Sequence, residues 1–219
     1  HYFEAQTRLG VVIARQGHLE AAREHLHGIE TQSDEQRVQL FLAEEQILRE
    51  AKKYAEALET LNESLEALPR NQDLLYARAL IGEKLDLVEL AERDLRAILE
   101  QDPDNAQALN ALGYTLADRT TRYKEALVLI ERALALKPDD PFILDSMGWV
   151  QYRLGNNTEA IKYLKRALSI RNDAEISAHL GEVLWVTGDR MQARSVWKKA
   201  LEDTPDNDTL LGIIKKFNP

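Results

Sequence analysis

The sequence contains no cysteine, and this absence removes several kinds of chemistry at once. Disulfides, thiol nucleophiles and cysteine-type metal sites are excluded, while the choice between the cytoplasm and an oxidising compartment stays open. No apolar run approaches the roughly 20 residues that span a bilayer. Only six prolines and ten glycines occur among 219 residues, so no flexible linker is visible.

Positive charge is also scarce, with 28 Lys and Arg against 37 Asp and Glu and a net charge of -9. Nucleic acid phosphates would be repelled, so nucleic acid is excluded as a partner and a basic or apolar protein surface is favoured. His25 and His27 point to different faces of a predicted helix. No HExxH, CxxC, EF-hand or phosphate-cradling glycine motif occurs, so we expect no metal, no cofactor and no enzymatic activity.

What the sequence does contain is a period of about 34 residues. Pro69, Pro103 and Pro138 follow this spacing, and Pro205 comes two periods later. A small residue lies at a matching distance before each proline, and the repeats without proline keep it: Ala22, Ala57, Ala91, Ala126, Ala160 and Ala193. A fixed spacing of this kind is typical of a solenoid, in which each repeat contacts only its neighbours.

The spacing resembles the tetratricopeptide repeat (TPR) family over essentially the whole chain. The resemblance implies an all-α fold, a right-handed superhelical solenoid of about six helix-turn-helix repeats with a C-terminal capping helix. Gly17, Gly155 and Gly188 are expected to end A helices with positive φ. We predict one solenoid over 1–219, with repeats at 3–37, 38–71, 72–105, 106–140, 141–173 and 174–207 and the capping helix at 208–217.

The second and third repeats depart from the pattern. Glu44 and Glu45 fall where Leu and Gly are expected, and Arg78 interrupts an apolar series. The segment after Pro205 carries five apolar residues that should cover the last repeat: Leu210, Leu211, Ile213, Ile214 and Phe217. The N-terminal end has no comparable cap, so we expect a fragment of a longer chain with further repeats before His1.

In the TPR superhelix, one side of each A helix lines a concave groove. The resemblance places apolar rings on this side, as in a binding surface, and we predict partner binding through Tyr76, Asn110, Tyr114, Phe142, Asp145, Trp149, Tyr152, Glu182 and Trp185. Asp145, Glu175 and Glu182 would select basic residues. The alternative is that some rings pack against a neighbouring A helix. For Trp149 we favour an exposed ring that is surplus to folding.

A narrower resemblance begins near Ala108. The strings ALNALGYTLAD, LDSMGWVQYRLG and AHLGEVLWVTGD are similar to a proteobacterial family of TPR outer-membrane lipoproteins. A pseudomonad member is an adaptor that brings peptidoglycan cross-link hydrolases to a periplasmic carboxyl-terminal processing protease. The resemblance implies those protein partners, the periplasmic face of the outer membrane, and membrane attachment only through a lipid anchor upstream of His1.

Two other functions remain open at this point. The repeats could mediate self-association or organise an assembly at the outer membrane as a structural scaffold. They could also regulate an enzyme whose catalytic domain lies upstream of His1.

Overall fold

The computed structural model describes residues 2–217, and every regular element in that range is an α-helix. The predicted all-α class is therefore confirmed. The thirteen helices of the described residues are α1 (Tyr2–Arg15), α2 (Leu19–His27), α3 (Asp34–Glu50), α4 (Tyr54–Ala67), α5 (Gln72–Lys84), α6 (Val88–Gln101), α7 (Ala106–Arg119), α8 (Tyr123–Leu136), α9 (Pro141–Arg153), α10 (Asn157–Ile170), α11 (Ala174–Val186), α12 (Arg190–Asp203) and α13 (Asp208–Phe217).

The first twelve helices form six antiparallel A–B pairs, each joined by a short turn. Odd-numbered helices are the A helices of the predicted repeats, and even-numbered helices are the B helices. The predicted glycines have positive φ, with 91° at Gly17, 85° at Gly155 and 97° at Gly188. Lys52 and Asp86 take the same left-handed conformation at φ 58° and 60°, which shows that the turn geometry persists in the two divergent repeats.

The chain divides after Pro103 into two compact units. The first unit contains the helix pairs α1–α2, α3–α4 and α5–α6, and the second contains α7–α8, α9–α10 and α11–α12 together with α13. Within each unit, neighbouring pairs stack as the repeat pattern predicts. The single solenoid over 1–219 stays a prediction.

The first unit uses ion pairs where the repeat pattern expects apolar residues. The Glu44 carboxylate is buried and accepts from Arg23 Nε at 2.9 Å and pairs with His27 Nε2 at 2.8 Å. Arg78 donates to the buried Asp94 on α6 through two nitrogens, at 2.6 and 2.9 Å. Since both partners supply hydrogen bonds, these charges are tolerated between the helices.

The second repeat begins four residues earlier than the predicted boundary at 38. The Ser33 hydroxyl accepts a hydrogen bond from the backbone N–H of Gln36 at 3.3 Å, so Ser33 caps α3. Asp34 and Glu35 follow in the first turn, where negative charge stabilises a helix N-terminus. Correspondingly, α2 is only nine residues long and ends at His27.

In the second unit, glycines on the A helices let large B-helix side chains approach. A Cβ on Gly148 would lie 2.5 Å from Leu164 Cγ and 3.1 Å from the Ala160 carbonyl oxygen. Gly181 faces Trp197 even more closely. These contacts are the small-to-large packing that the repeat pattern requires.

Helix α13 covers the last helix pair, as predicted for a capping helix. Leu210 is fully buried, and Ile213, Ile214 and Phe217 pack on the core formed by α11 and α12. Leu211 was expected to join them, but it is 42% exposed because it lies on the outer side of α13. Four of the five predicted apolar residues therefore build the cap.

Candidate functional site

The candidate site is one face of the A helices in the second unit, which we call the inner face. It carries the predicted binding residues of α7, α9 and α11: Asn110, Tyr114, Phe142, Asp145, Trp149, Tyr152, Glu182 and Trp185. Helix α13 extends this face, because Thr209 Oγ1 lies 3.4 Å from Glu175 and Lys216 Nζ lies 2.9 Å from Glu182.

His179 on α11 is the centre of the inner face. Both oxygens of Asp145 on α9 lie 2.9 Å from its Nδ1, and the Tyr114 hydroxyl on α7 lies 3.5 Å from its Nε2. The Trp149 ring stacks on the imidazole with centroids 4.4 Å apart, and Trp149 Nε1 donates to Asp118 at 3.2 Å. One imidazole thus joins three successive A helices.

The charge of His179 depends on two opposing effects. Burial lowers its pKa, but the Asp145 carboxylate and, at longer range, Glu175 and Asp118 raise it, and the pKa ends above its usual value of 6.5. The imidazolium is therefore favoured in the folded chain, where it forms a buried ion pair with Asp145. This pair stabilises the contact between α9 and α11.

Glu182 forms the second polar contact of the inner face. It is 4% exposed and receives hydrogen bonds from Tyr152 Oη at 3.4 Å and Lys216 Nζ at 2.9 Å. Burial and the Glu182 charge raise the pKa of Tyr152, so its hydroxyl stays protonated and able to donate. The contact ties α9, α11 and α13 together.

Three predicted binding residues are structural in this arrangement. The expectation that Trp149 is an exposed ring, surplus to folding, is wrong: it is 6% exposed because the imidazole of the next repeat covers it. Asp145 and Glu182 were expected to select basic residues of a partner. Both are buried, and their charges are already paired with His179 and Lys216.

Other predicted residues keep part of their side chain exposed. Phe142 is 45% exposed, and the Arg171 guanidinium lies 5.1 Å from its ring centroid. Tyr114 and Tyr152 are half-buried. Asn110 is half-buried as well, and among the described residues no group donates a hydrogen bond to its buried Oδ1.

Trp185 and Tyr76 differ from this set. Trp185 is half-buried at the edge of the inner face, where it stacks on Trp197 and contacts Phe217, with ring centroids 5.8 and 6.0 Å apart. Its ring thus contributes to the core beneath the cap. Tyr76 is a half-buried residue of α5 in the first unit, so it does not belong to the inner face.

Sequence reasoning missed His179, the residue that organises the site. A signal was available, because the equivalent positions of the two preceding repeats hold Ala111 and Ser146. A large polar side chain where its counterparts are small must reach across to a neighbouring helix. Among the described residues 2–217, no group of acidic residues and histidines is arranged to hold a metal ion.

Comparison with known proteins agrees with this architecture. The tetratricopeptide repeat family matches residues 86–141 and 143–173. The crystal structure of TTC0263, a thermophilic TPR protein of Thermus thermophilus, superposes with a TM-score of 0.71 at 23% identity, covering 85% of this chain and all of that one. The chain is a tetratricopeptide repeat protein.

Two further relatives support the same TPR assignment. A TPR protein structure from Parabacteroides merdae gives a TM-score of 0.74 at 18% identity, over 98% of this chain and 84% of that one. The TPR repeat-containing protein PA4667 of Pseudomonas aeruginosa is 43% identical over 181 residues, which is 83% of this chain and 31% of that protein. The chain spans less than a third of the length of the first curated relatives that it matches.

The TPR assignment identifies a general role. Tetratricopeptide repeats form protein–protein interaction scaffolds, and proteins built from them are typically not enzymes. Protein partners are thus the expected ligands of these repeats. Of the helices that the structure describes between Tyr2 and Phe217, none combines the length and the apolar character needed to cross a bilayer.

Proposed function

We propose that the chain is a non-enzymatic adaptor that binds a protein segment on the inner face of its second unit. Phe142 carries the proposal, because an aromatic ring that is 45% exposed on this face contributes little to the core. Such rings are frequent anchors of protein interfaces. Arg171 beside the ring would donate to a partner carbonyl or carboxylate. The Asn110 oxygen, which accepts no hydrogen bond from the residues that the structure describes, would accept one from a partner backbone N–H.

The charge of the inner face determines which kind of partner segment is complementary to it. Asp145 and Glu182 are neutralised internally, so Glu175 is the one exposed carboxylate of the three expected to select basic residues in the described chain. The face also offers an apolar ring, amide groups and the Arg171 guanidinium, which pairs with Asp173 at 3.7 Å. A segment that combines an apolar side chain with a carbonyl or carboxylate group is complementary to it. This differs from the basic segment that the sequence alone favoured.

The finer proposal names the partners and the compartment. The chain would bring peptidoglycan cross-link hydrolases to a carboxyl-terminal processing protease at the periplasmic face of the outer membrane, held there by a lipid anchor upstream of His1. Support comes from the strings after Ala108 that resemble the pseudomonad adaptor family. A TPR repeat-containing protein of Pseudomonas aeruginosa is 43% identical over 181 residues, so a pseudomonad protein carries a related repeat array.

Reconstitution tests both levels of the proposal. The chain, a pseudomonad carboxyl-terminal processing protease and a cross-link hydrolase are mixed pairwise, and binding is followed by calorimetry. Phe142→Ala should weaken binding at least about tenfold, as loss of an interface anchor does. Val128→Ala is the matched control, since Val128 is a 55% exposed apolar residue on the B helix α8.

The outcomes separate the alternatives. Binding that is lost equally in both variants, or unchanged in Phe142→Ala, would remove the inner face as the binding surface. Absence of binding to either protein would reject the protease adaptor, and a measured mass that is a multiple of 25.0 kDa would then favour the self-associating scaffold.

A further inference from the structure

A cavity of about 440 Å³ lies in the first unit, whereas the surface proposed above belongs to the second. It is bounded by the end of α2, the segment after it, the first half of α3 and one side of α4, so we call it the α2–α4 cavity. The cavity exists because α2 is shorter than the other B helices. The other five B helices each have 14 residues, whereas α2 has nine, and the missing residues correspond to about 7 Å of helix.

Part of the lining of the α2–α4 cavity is apolar. Leu26, Ile29, Leu40 and Phe41 line it, and the volume falls in the range of sites that accept small ligands or single side chains. Thr60 of α4 also lines the cavity. It is 6% exposed, and within residues 2–217 its hydroxyl forms no hydrogen bond. A hydroxyl in such a position costs free energy unless water or a ligand satisfies it.

The rim of the cavity carries more negative than positive charge. Arg23 already pairs with Glu44 at 2.9 Å and with Glu56 at 3.0 Å. Glu59 and Glu63 also line the cavity, are exposed, and in the described chain form no ion pair. They lie four residues apart on α4, so both carboxylates are on the same side of the helix.

Two further residues that line the cavity, Arg37 and His27, do not cancel these carboxylates. Arg37 donates to Asp34 at 3.3 Å, and His27 faces Glu44 at 2.8 Å. Each is engaged by its own acidic partner. The pair Glu59 and Glu63 thus remains available beside a cavity with a partly apolar lining, whose wall also holds the Thr60 hydroxyl.

We propose that the α2–α4 cavity binds an arginine side chain of a protein partner. The aliphatic stem would lie on Leu26, Ile29 and Phe41, and the guanidinium would donate to the Glu59 and Glu63 carboxylates and the Thr60 hydroxyl. A guanidinium suits this set because its five donors lie in one plane and can reach several acceptors at once. This site is independent of the inner face and of the proposed adaptor function.

A short peptide tests the assignment. The probe is acetyl-Leu-Arg-Leu-amide, titrated into the ¹⁵N-labelled full chain, with amide shifts of Thr60 and Ile29 as the readout. The same peptide with citrulline keeps the shape and removes the charge. We expect saturable shifts with arginine and binding weakened about tenfold with citrulline, the loss expected for charge-assisted hydrogen bonds.

Variants on α4 give a matched comparison. Glu63→Gln and Thr60→Val should each weaken the arginine peptide about threefold or more, since each removes an acceptor of the guanidinium. Glu66→Gln is the control, because Glu66 is an exposed carboxylate of the same helix that does not line the cavity. Thermal melts of the three variants establish that each is folded.

Three results would overturn the proposal. The first is no saturable shift of Thr60 or Ile29 with the arginine peptide. The second is equal binding of the citrulline peptide, which would identify an apolar site without charge selection. The third is a loss in Glu66→Gln as large as that in Glu63→Gln, which would show only a general effect of the acidic helix.

Discussion

Replacing Gly148 by alanine isolates the packing between α9 and α10. The new Cβ would lie 2.5 Å from Leu164 Cγ and 3.0 Å from Leu164 Cδ2, so the leucine would have to retreat by nearly an ångström. Leu164 is fully buried and has little room to move. The Ala160 carbonyl oxygen, 3.1 Å away, belongs to the backbone of α10 and cannot rotate aside.

The magnitude follows from two opposing effects. Overpacking of a core costs about 1–3 kcal/mol, whereas alanine in place of glycine within a helix gains about 0.5–1 kcal/mol. We therefore expect Gly148→Ala to lower the free energy of unfolding by about 1 kcal/mol, the difference between the middle values of these two ranges. Gly212→Ala is the control, because Gly212 lies within α13 and a Cβ there would meet nothing within 4 Å. It should be stabilising.

Urea unfolding followed by tryptophan fluorescence is the suitable assay. All three tryptophans, Trp149, Trp185 and Trp197, lie in the second unit, so the signal reports on that unit. The same chemical change is made in both variants, and the helix-propensity gain cancels in their difference. A Gly148→Ala midpoint that rises together with that of Gly212→Ala would refute the tight contact with Leu164.

Three further predictions concern the inner face and the cap. Trp149→Ala should destabilise the second unit by about 3–5 kcal/mol, as removal of a buried aromatic ring does, and a loss below about 1 kcal/mol in urea melts would show the ring to be dispensable. The pKa of His179 is raised by folding, so its pairing with Asp145 stabilises fully below pH 6.5 and the stabilisation is lost as the pH rises through the folded value. As the pH rises from about 6 to 9, the free energy of unfolding should therefore fall in the native chain and fall less in His179→Gln. Identical slopes in the two proteins would contradict the pairing. Deleting residues 208–219 should expose the Trp197 ring, shift tryptophan emission to the red and lower the melting temperature, whereas an unchanged spectrum would mean that α13 does not cover the core.

The sequence was sufficient to predict the repeats but not the contacts between them. The period and the small residues located twelve helices closely, since A–B packing depends on residues within one repeat. The start of α3 was missed because the Ser33 cap, a local hydrogen bond, extends the helix beyond the repeat boundary. The burial of Trp149 was missed because the ring is covered by His179, which belongs to the next repeat. Assigning positions one repeat at a time cannot detect a contact between residues of two different repeats.

Contacts between helices also explain why counting charges overestimated the acidic groups that Asp145 and Glu182 offer to a partner. Glu44, Asp94, Asp145 and Glu182 are buried carboxylates, and each is paired with a cation of another helix. Their negative charge holds helices together, because a buried carboxylate without a partner would be strongly destabilising.

The charge that a partner can contact is therefore carried by side chains outside these internal ion pairs. On the inner face this leaves the exposed ring of Phe142, beside the Arg171 guanidinium that also pairs with Asp173. In the first unit it leaves two carboxylates, Glu59 and Glu63, beside the α2–α4 cavity. The two surfaces thus differ in charge as well as in location, and they are suited to two chemically different segments. An adaptor that holds two proteins at once requires such a difference, since otherwise each partner would compete for both surfaces.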